Sequence, residues 1–253
     1  MRIALIDGDI FVWESACQAE QRMTFGDQEV VHADEAMANA NFDVKIRTIK
    51  EVCGADHVLI ALSDPSRHYW RHDILPSYKA GRTGARPVAL KGVRDHALKN
   101  HNCTARRALE ADDVLGILAT GKALAKMYKT KSVTPIVVTS DKDLKQIPGL
   151  HLNHQKISEG LFTVEKEDGE AWHLTQTLTG DVVDNYSGCP GIGPVKAAAI
   201  VPGGWPAIVK AFEKKGLTED DALRQARVAR ILQVQDWNAK TQTPHLWVPK
   251  EHR

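Results

Sequence analysis

Three short apolar runs, RIALIDGD at 2–9, HVLIALSD at 57–64 and PIVVTSDKD at 135–143, each close on aspartate. That repetition constrains the fold more than any other feature of the chain. Each run is rich in Ile, Val and Leu and is bounded by turn residues, the pattern of strands buried on both faces. Helical periodicity lies between them, at about 34–52 and 111–127. The alternation predicts an α/β domain on a mostly parallel central sheet flanked by helices. Ligand sites of open parallel sheets lie beyond the carboxyl ends of the strands, which is where Asp7, Asp9, Asp64, Asp141 and Asp143 then fall. A single strand-terminal aspartate is ordinarily a turn former or a helix cap. Three strands sharing the feature call for another explanation.

More acid is expected at the same edge. EADDVLGILA places Glu110, Asp112 and Asp113 at the start of an apolar helix, and LTGDVVDNYSG adds Asp181 and Asp184. Acids in a first helical turn complement the helix dipole, but three beside a buried face exceed what a cap requires. Like charges a few ångströms apart must protonate, pair with cations or bind metal. Few Lys or Arg are interleaved with these acids, Lys142 being the clearest. Oxygen ligands without His or Cys favour a hard cation, Mg²⁺ or Mn²⁺, over zinc. Two such ions form a recurring device for cleaving phosphodiesters. On an ideal helix Asp113 points away from the face of Ala111, Val114, Leu115 and Leu118, which leaves a second-metal ligand or a solvated residue. Asp9 reads as a turn or cap residue.

The net charge of +1 is uninformative, but its distribution is not. Between Pro65 and Leu109 stand ten Lys/Arg against Asp73 and Asp95 alone, a strongly basic segment. The four cysteines form no C-x-x-C pair and read as reduced thiols of a cytoplasmic protein. No run approaches a membrane span of roughly 18 apolar residues. The N-terminal run is short and carries Asp7 and Asp9, so neither a signal peptide nor a membrane partner is expected.

EADDVLGILA, TSDKDL, LTGDVVDNYSGCPGIGPVKAA and LPSYKAGR, in this spacing, resemble the 5′→3′ exonuclease and flap endonuclease family, which includes the nuclease domains of bacterial DNA polymerase I and small phage 5′-nucleases. The likeness runs from about Asp7 to Val201, and the last fifty residues carry no motif of it. It implies a PIN-like 5′-nuclease fold with a helix–hairpin–helix-type DNA-binding subdomain. It also implies Asp7, Asp64, Glu110 and Asp112 as ligands of a first metal, and Asp141, Asp143, Asp181 and Asp184 as ligands of a second. Asp113 is carried as a further candidate. The SYKAGR stretch resembles the family's substrate-handling motif. Lys79 and Arg82 would stabilise charge on the scissile phosphate, and Tyr78 would stack on a terminal base. The basic segment, with Arg86, Lys91 and Arg94, would form an arch or clamp touching phosphates without reading sequence.

GCPGIGPVKAAAIV at 188–201 makes a tight turn into a helix with Pro at its first position. Gly191 and Gly193 would admit a DNA backbone closely, the helix start offers N–H groups to a phosphate, and Lys196 adds a contact. The resemblance further implies a monovalent cation such as K⁺ at this turn. Domains are expected at 1–180, the nuclease core with the basic segment at about 65–109, and 181–253, the DNA-binding region and tail. Asp220 and Asp221, after Thr218, read as helix capping. The stretch 236–253 reads as a tail packing back on the core. Histidines 68, 72, 96 and 101 read as surface residues of the basic segment without metal-ligand spacing.

The reading is therefore a Mg²⁺- or Mn²⁺-dependent hydrolase with two ions, acting on DNA at duplex 5′ ends or 5′ flaps, with RNA–DNA hybrids open as substrates. Two alternatives stand beside it: a PIN-like ribonuclease, and a non-catalytic structure-specific DNA-binding protein.

Overall fold

The computed structural model describes residues 1–250. β1 (Arg2–Asp7) runs directly into α1 (Gly8–Gln18). A hairpin of β2 (Glu20–Phe25) and β3 (Gln28–Ala33) leads to α2 (Glu35–Val52) and β4 (His57–Leu62). After a largely irregular stretch come α3 (Leu90–Asn100), β5 (Cys103–Ala105), α4 (Ala111–Thr120) and α5 (Ala123–Met127). Then follow β6 (Thr134–Val138), β7 (Gly149–Leu152), β8 (Phe162–Val164) and α6 (Lys166–Thr179). The helices end with α7 (Pro194–Ile200), α8 (Gly204–Glu213) and α9 (Glu219–Ala229).

The three aspartate-terminated runs are β1, β4 and β6, side by side in a six-stranded sheet of order β5-β4-β1-β6-β7-β8. Every pairing is parallel except β7 with β8. The chain crosses to β4 on one side of β1 and to β6 on the other, so the carboxyl end of β1 is a topological switch point, where such sheets place their sites. Both sheet faces are dry. Ala4 and Ile6 of β1 pack with Phe11, Phe42, Ile46, Val93 and Ala97 of α1, α2 and α3. Ile3 and Leu5 face the other way, into Leu115 and Leu118 of α4. Strict alternation along a two-sided strand explains why its sequence is continuously apolar.

A third core joins Leu178 of α6 to Ala197, Trp205, Phe212 and Ala226 of α7, α8 and α9. The boundary expected at 180–181 therefore falls at the end of a helix that belongs to both sides. Thr218 and Asp221 cap α9 reciprocally, as read from the sequence. Beyond α9 the chain returns to the sheet. Ile231 and Leu232 lie in the same core as Leu115 and Val137, so 181–253 is not a separate unit. Gly116 permits that return, since a Cβ there would stand 2.2 Å from Leu232 O. Trp247 then packs edge-on against Trp205 and His173. The expected packed tail is present to residue 250, and 251–253 lie outside the described residues.

Candidate active site

Asp7 ends β1 and is only 2% exposed. The Thr139 hydroxyl beyond β6 donates to Asp7 Oδ2 at 3.0 Å and accepts the Asp141 N–H at 3.0 Å, joining two strand ends. Asp112 comes in on the first turn of α4, and Asp143 on the short 3₁₀ turn that Asp141 caps. Burial, then the neighbouring Asp9 and Asp141 charges, push the Asp7 carboxyl up to about 7. Burial together with Asp7, Asp141 and Glu110 holds Asp112 well above the usual carboxylate range. Burial, Asp141 and Asp181 push Asp143 up to about 7. Asp143 Oδ1 is also buried without a hydrogen-bond partner. Crowded carboxyls that cannot all ionise and an oxygen with nothing to accept from are what a bound cation would relieve.

The last two acids arrive on the loop after α6. Asp181 and Tyr186 close it by an antiparallel bridge, and Asp181 Oδ1 accepts the N–H groups of Val183 and Asp184 at 2.7 and 3.1 Å. The loop depends on two glycines. Gly180 (φ +65) and Gly188 (φ +62) face each other so closely that a Cβ on either would come within 2.4 Å of the other strand's backbone. Lys79, itself left-handed (φ 58), donates its backbone N–H to Asp184 O at 2.9 Å. The loop is thereby tied to the basic segment.

Cations from the SYKAGR stretch reach this cluster. Lys79 Nζ pairs with Glu110 Oε1 and stands 3.6 Å from Asp184 Oδ2. Arg82 pairs with Asp184 Oδ1. Although burial disfavours its charge, Glu110 and Asp184 hold the Lys79 ammonium above its usual range.

Sequence reasoning missed Arg71, the hub of the site's support. It is 3% exposed, and all five of its N–H groups are used. Nη1 donates to Glu110 Oε2 and Asp113 Oδ2 at 2.8 and 2.7 Å. Nη2 donates to Asp113 Oδ1 and Arg230 O at 2.9 and 2.6 Å, and Nε to Val228 O at 2.9 Å. The available signal was its aromatic setting, Tyr69-Trp70-Arg71, amid otherwise polar basic residues.

Several assignments change accordingly. Asp113 is neither a metal ligand nor solvated. It is fully buried, with both oxygens saturated by Arg71, by Trp70 Nε1 at 2.9 Å and by Leu232 N at 3.1 Å. Tyr78 cannot stack on a base. Its ring is buried, and its hydroxyl spans Glu110 Oε2 and Asp184 Oδ2 at 3.0 and 2.9 Å. Asp64 stands apart from the acids that raise one another. Its oxygens accept the N–H groups of Ser66 and Ala108 at 3.0 and 2.6 Å, and those bonds, Ala108 first, hold its carboxyl below the usual range.

Within the basic segment, α3 is packed on the core while residues 81–86 before it are exposed. α3 lies on α1 and α2 through Val93 and Ala97. Arg94 is spent on Asp9 Oδ1 at 3.1 Å and Ser63 O at 2.6 Å, so Asp9 is an ion-pair partner as well as an acceptor for the Ser63 N–H. Lys91 is exposed and pairs with Asp95 one turn on, and Arg86 is exposed in the irregular stretch before α3. At the 188–196 turn, Gly191 is left-handed (φ +74) and Gly193 caps α7. Lys196 is exposed and its Nζ donates to Gly191 O at 3.0 Å.

The family described as 5′-3′ exonuclease, N-terminal resolvase-like domain, matches residues 2–170. The exodeoxyribonuclease of Enterobacteria phage T3 and the exonuclease of Escherichia phage T7 are each 26% identical, the alignments covering 98% of this chain and 93% of theirs. Among solved structures, the bacteriophage T5 flap endonuclease in a complex with DNA and metal ions superposes with a TM-score of 0.64. The alignment covers 90% of this chain and 89% of that one at 13% identity, a likeness of fold.

Proposed function

Since the chain belongs to the 5′→3′ exonuclease and flap endonuclease family, its domain matched over residues 2–170, we propose that it is a divalent-metal-dependent 5′-nuclease hydrolysing DNA at duplex 5′ ends or 5′ flaps. The observation that carries the proposal is the conjunction of Asp7, Asp112 and Asp143, all held above the normal carboxylate range at one sheet edge, with an orphaned Asp143 oxygen among them.

The donor set, all carboxylate oxygen, fits hard ions such as Mg²⁺ or Mn²⁺. Asp7, Glu110 and Asp112 would hold one ion, and Asp141, Asp143, Asp181 and Asp184 a second. Asp64 retains acceptor capacity on both oxygens and is assigned to the first ion on the family pattern. Bound there, the ions supply an activated water and neutralise charge developing on the phosphate. The remaining work falls to the chain. Lys79 and Arg82 sit on Glu110 and Asp184, so a phosphate entering between them meets two preplaced positive charges. Tyr78 fixes the spacing of Glu110 and Asp184, and Arg71 fixes Glu110 against α4. The turn with Gly191 and Gly193 would admit a duplex phosphate closely, with K⁺ assigned to the same turn on the family pattern.

The test is a 5′-flap duplex labelled at the 5′ end or internally, incubated with Mg²⁺ or EDTA, with an RNA–DNA hybrid arm. Metal-dependent mononucleotides or intact released flaps are expected. Tight binding without cleavage in any metal would overturn the assignment.

A further inference from the structure

Away from the acidic cluster, two of the histidines read from sequence as surface residues converge. His96 near the end of α3 and His101 just after it both point Nε2 at one oxygen of Asp43 on α2, at 2.8 and 2.7 Å. One ligand atom from each of the three lies within 4.8 Å of the other two. We propose that Asp43, His96 and His101 form a second kind of metal site, for a borderline transition ion of the zinc class, bridging α2 and α3. The donor set is what separates it from the catalytic cluster. Two imidazoles and one carboxylate suit Zn²⁺, Co²⁺ or Ni²⁺, whereas the all-oxygen cluster suits Mg²⁺.

The side chains are held as ligands need to be. Phe42, next to Asp43, is fully buried and meets the His101 ring edge-on at 5.4 Å between centroids. The Asn100 side-chain amide lies 3.0 Å from His96 Nδ1 and also reaches His96 O. A partner on the far ring nitrogen is what orients an imidazole toward a metal. In the metal-bound form the His96 proton resides on Nδ1 and the Asn100 amide turns its oxygen to accept it, freeing the Nε2 lone pair. The backbone is anchored on both sides, because Ala97 and Val93 of α3 and Phe42 and Ile46 of α2 share one core. The two imidazoles are each 20% exposed and Asp43 is 37% exposed. Solvent therefore reaches the site and a water can complete four-coordination. Ligand atoms around a tetrahedral zinc stand roughly 3.3–3.5 Å apart at its usual bond lengths. The observed N···O separations thus need to open by only about half an ångström, within reach of side-chain torsions.

An ion here would clamp α3 to α2. α3 carries Arg94, which holds Asp9 and Ser63 O beside the acidic edge. Docking α3 therefore also fixes the C-terminal end of the segment bearing Lys79 and Arg82.

The experiment is equilibrium dialysis of metal-stripped protein against Zn²⁺ with Mg²⁺ in large excess, bound zinc counted by mass spectrometry. Co²⁺ visible absorption would report nitrogen ligation. The wild type is expected to keep one zinc per chain, and an Asp112→Asn variant likewise. The His96→Gln/His101→Gln double variant is expected to lose it and to lose the zinc-dependent rise in melting temperature. Equal zinc retention by the histidine variant would overturn the proposal. Should that variant not fold, imidazole ¹⁵N shifts of the wild type decide: His96 and His101 Nε2 resonances unmoved by zinc would sink it.

Discussion

Neighbouring aspartates at the start of α4 have opposite jobs. Asp112 belongs to a set of carboxyls that burial and mutual repulsion disfavour in ionised form, while Asp113 is held by four donors. Asp143→Asn and Asp112→Asn should each lower cleavage by at least the roughly 10²–10³-fold typical of losing one charge-stabilising group. Both should raise the metal-free melting temperature near neutral pH, because each removes a carboxyl that burial, and then its acidic neighbours, disfavour in ionised form, and a gel assay beside a thermal melt checks both. Asp113→Asn should do the reverse. It breaks a buried charge pair and should cost about 3–5 kcal/mol by urea denaturation, while the surviving folded fraction cleaves near the wild-type rate. Sequence could not separate the two, because helical phase showed only that Asp113 faces away from the apolar stripe. What fills that direction, Arg71 and Trp70, comes from more than forty residues earlier. Tyr78 failed for a related reason: an aromatic in a basic loop reads as exposed until the acids that bury its hydroxyl are placed.

At the scale of elements, β1, β4, β6 and α2 were legible because each carries its own periodicity, whereas the helix expected over 111–127 breaks at Gly121 into α4 and α5. α1 was not legible, since Gly8-Asp9 looks like a turn. The chain helps itself there: Asp7 both ends the strand and caps the helix, accepting the Ile10 N–H at 3.5 Å. α3 was read as an arch because its basic residues dominate, yet its small buried face, Val93 and Ala97, decides where it lies. The loop after α6 was legible as a motif but not as a shape, which rests on the mutual approach of Gly180 and Gly188. Gly188→Ala combines a left-handed backbone with a backbone clash. It should destabilise by more than about 1 kcal/mol and reduce cleavage by displacing Asp181 and Asp184. A melt and a rate measured on one preparation test this, and an unchanged rate at lowered stability would separate the loop from the metal ligands.

For the whole molecule, the acidic edge makes stability depend on pH and on metal together. Asp7 and Asp143 keep their protons up to about 7, whereas carboxyls of the unfolded chain lose theirs near 3.8. Between those values the folded state carries the extra protons, so metal-free stability falls as pH rises from about 4 towards 7, then levels off. His173 works the other way. Burial lowers it from 6.5 to about 3, so its neutral form loses stability as pH falls through that window. Mg²⁺ acts only on the first effect. The gain in melting temperature on adding Mg²⁺ should therefore grow from pH 5 to pH 8, and Asp143→Asn should flatten that growth. A pH-independent gain would remove the acids from the account.

The guanidinium of Arg71 takes two of its acceptors, the carbonyls of Val228 and Arg230, from the far end of the chain, and Asp113 takes a donor from Leu232. A chain growing on the ribosome therefore presents the clustered acids before the carbonyls that complete the hold of Arg71. Until residues 228 and 230 have emerged, Glu110 hangs from an arginine with two N–H groups unanswered. The order of synthesis itself leaves the support of the acidic edge unfinished until the segment after α9 has joined it.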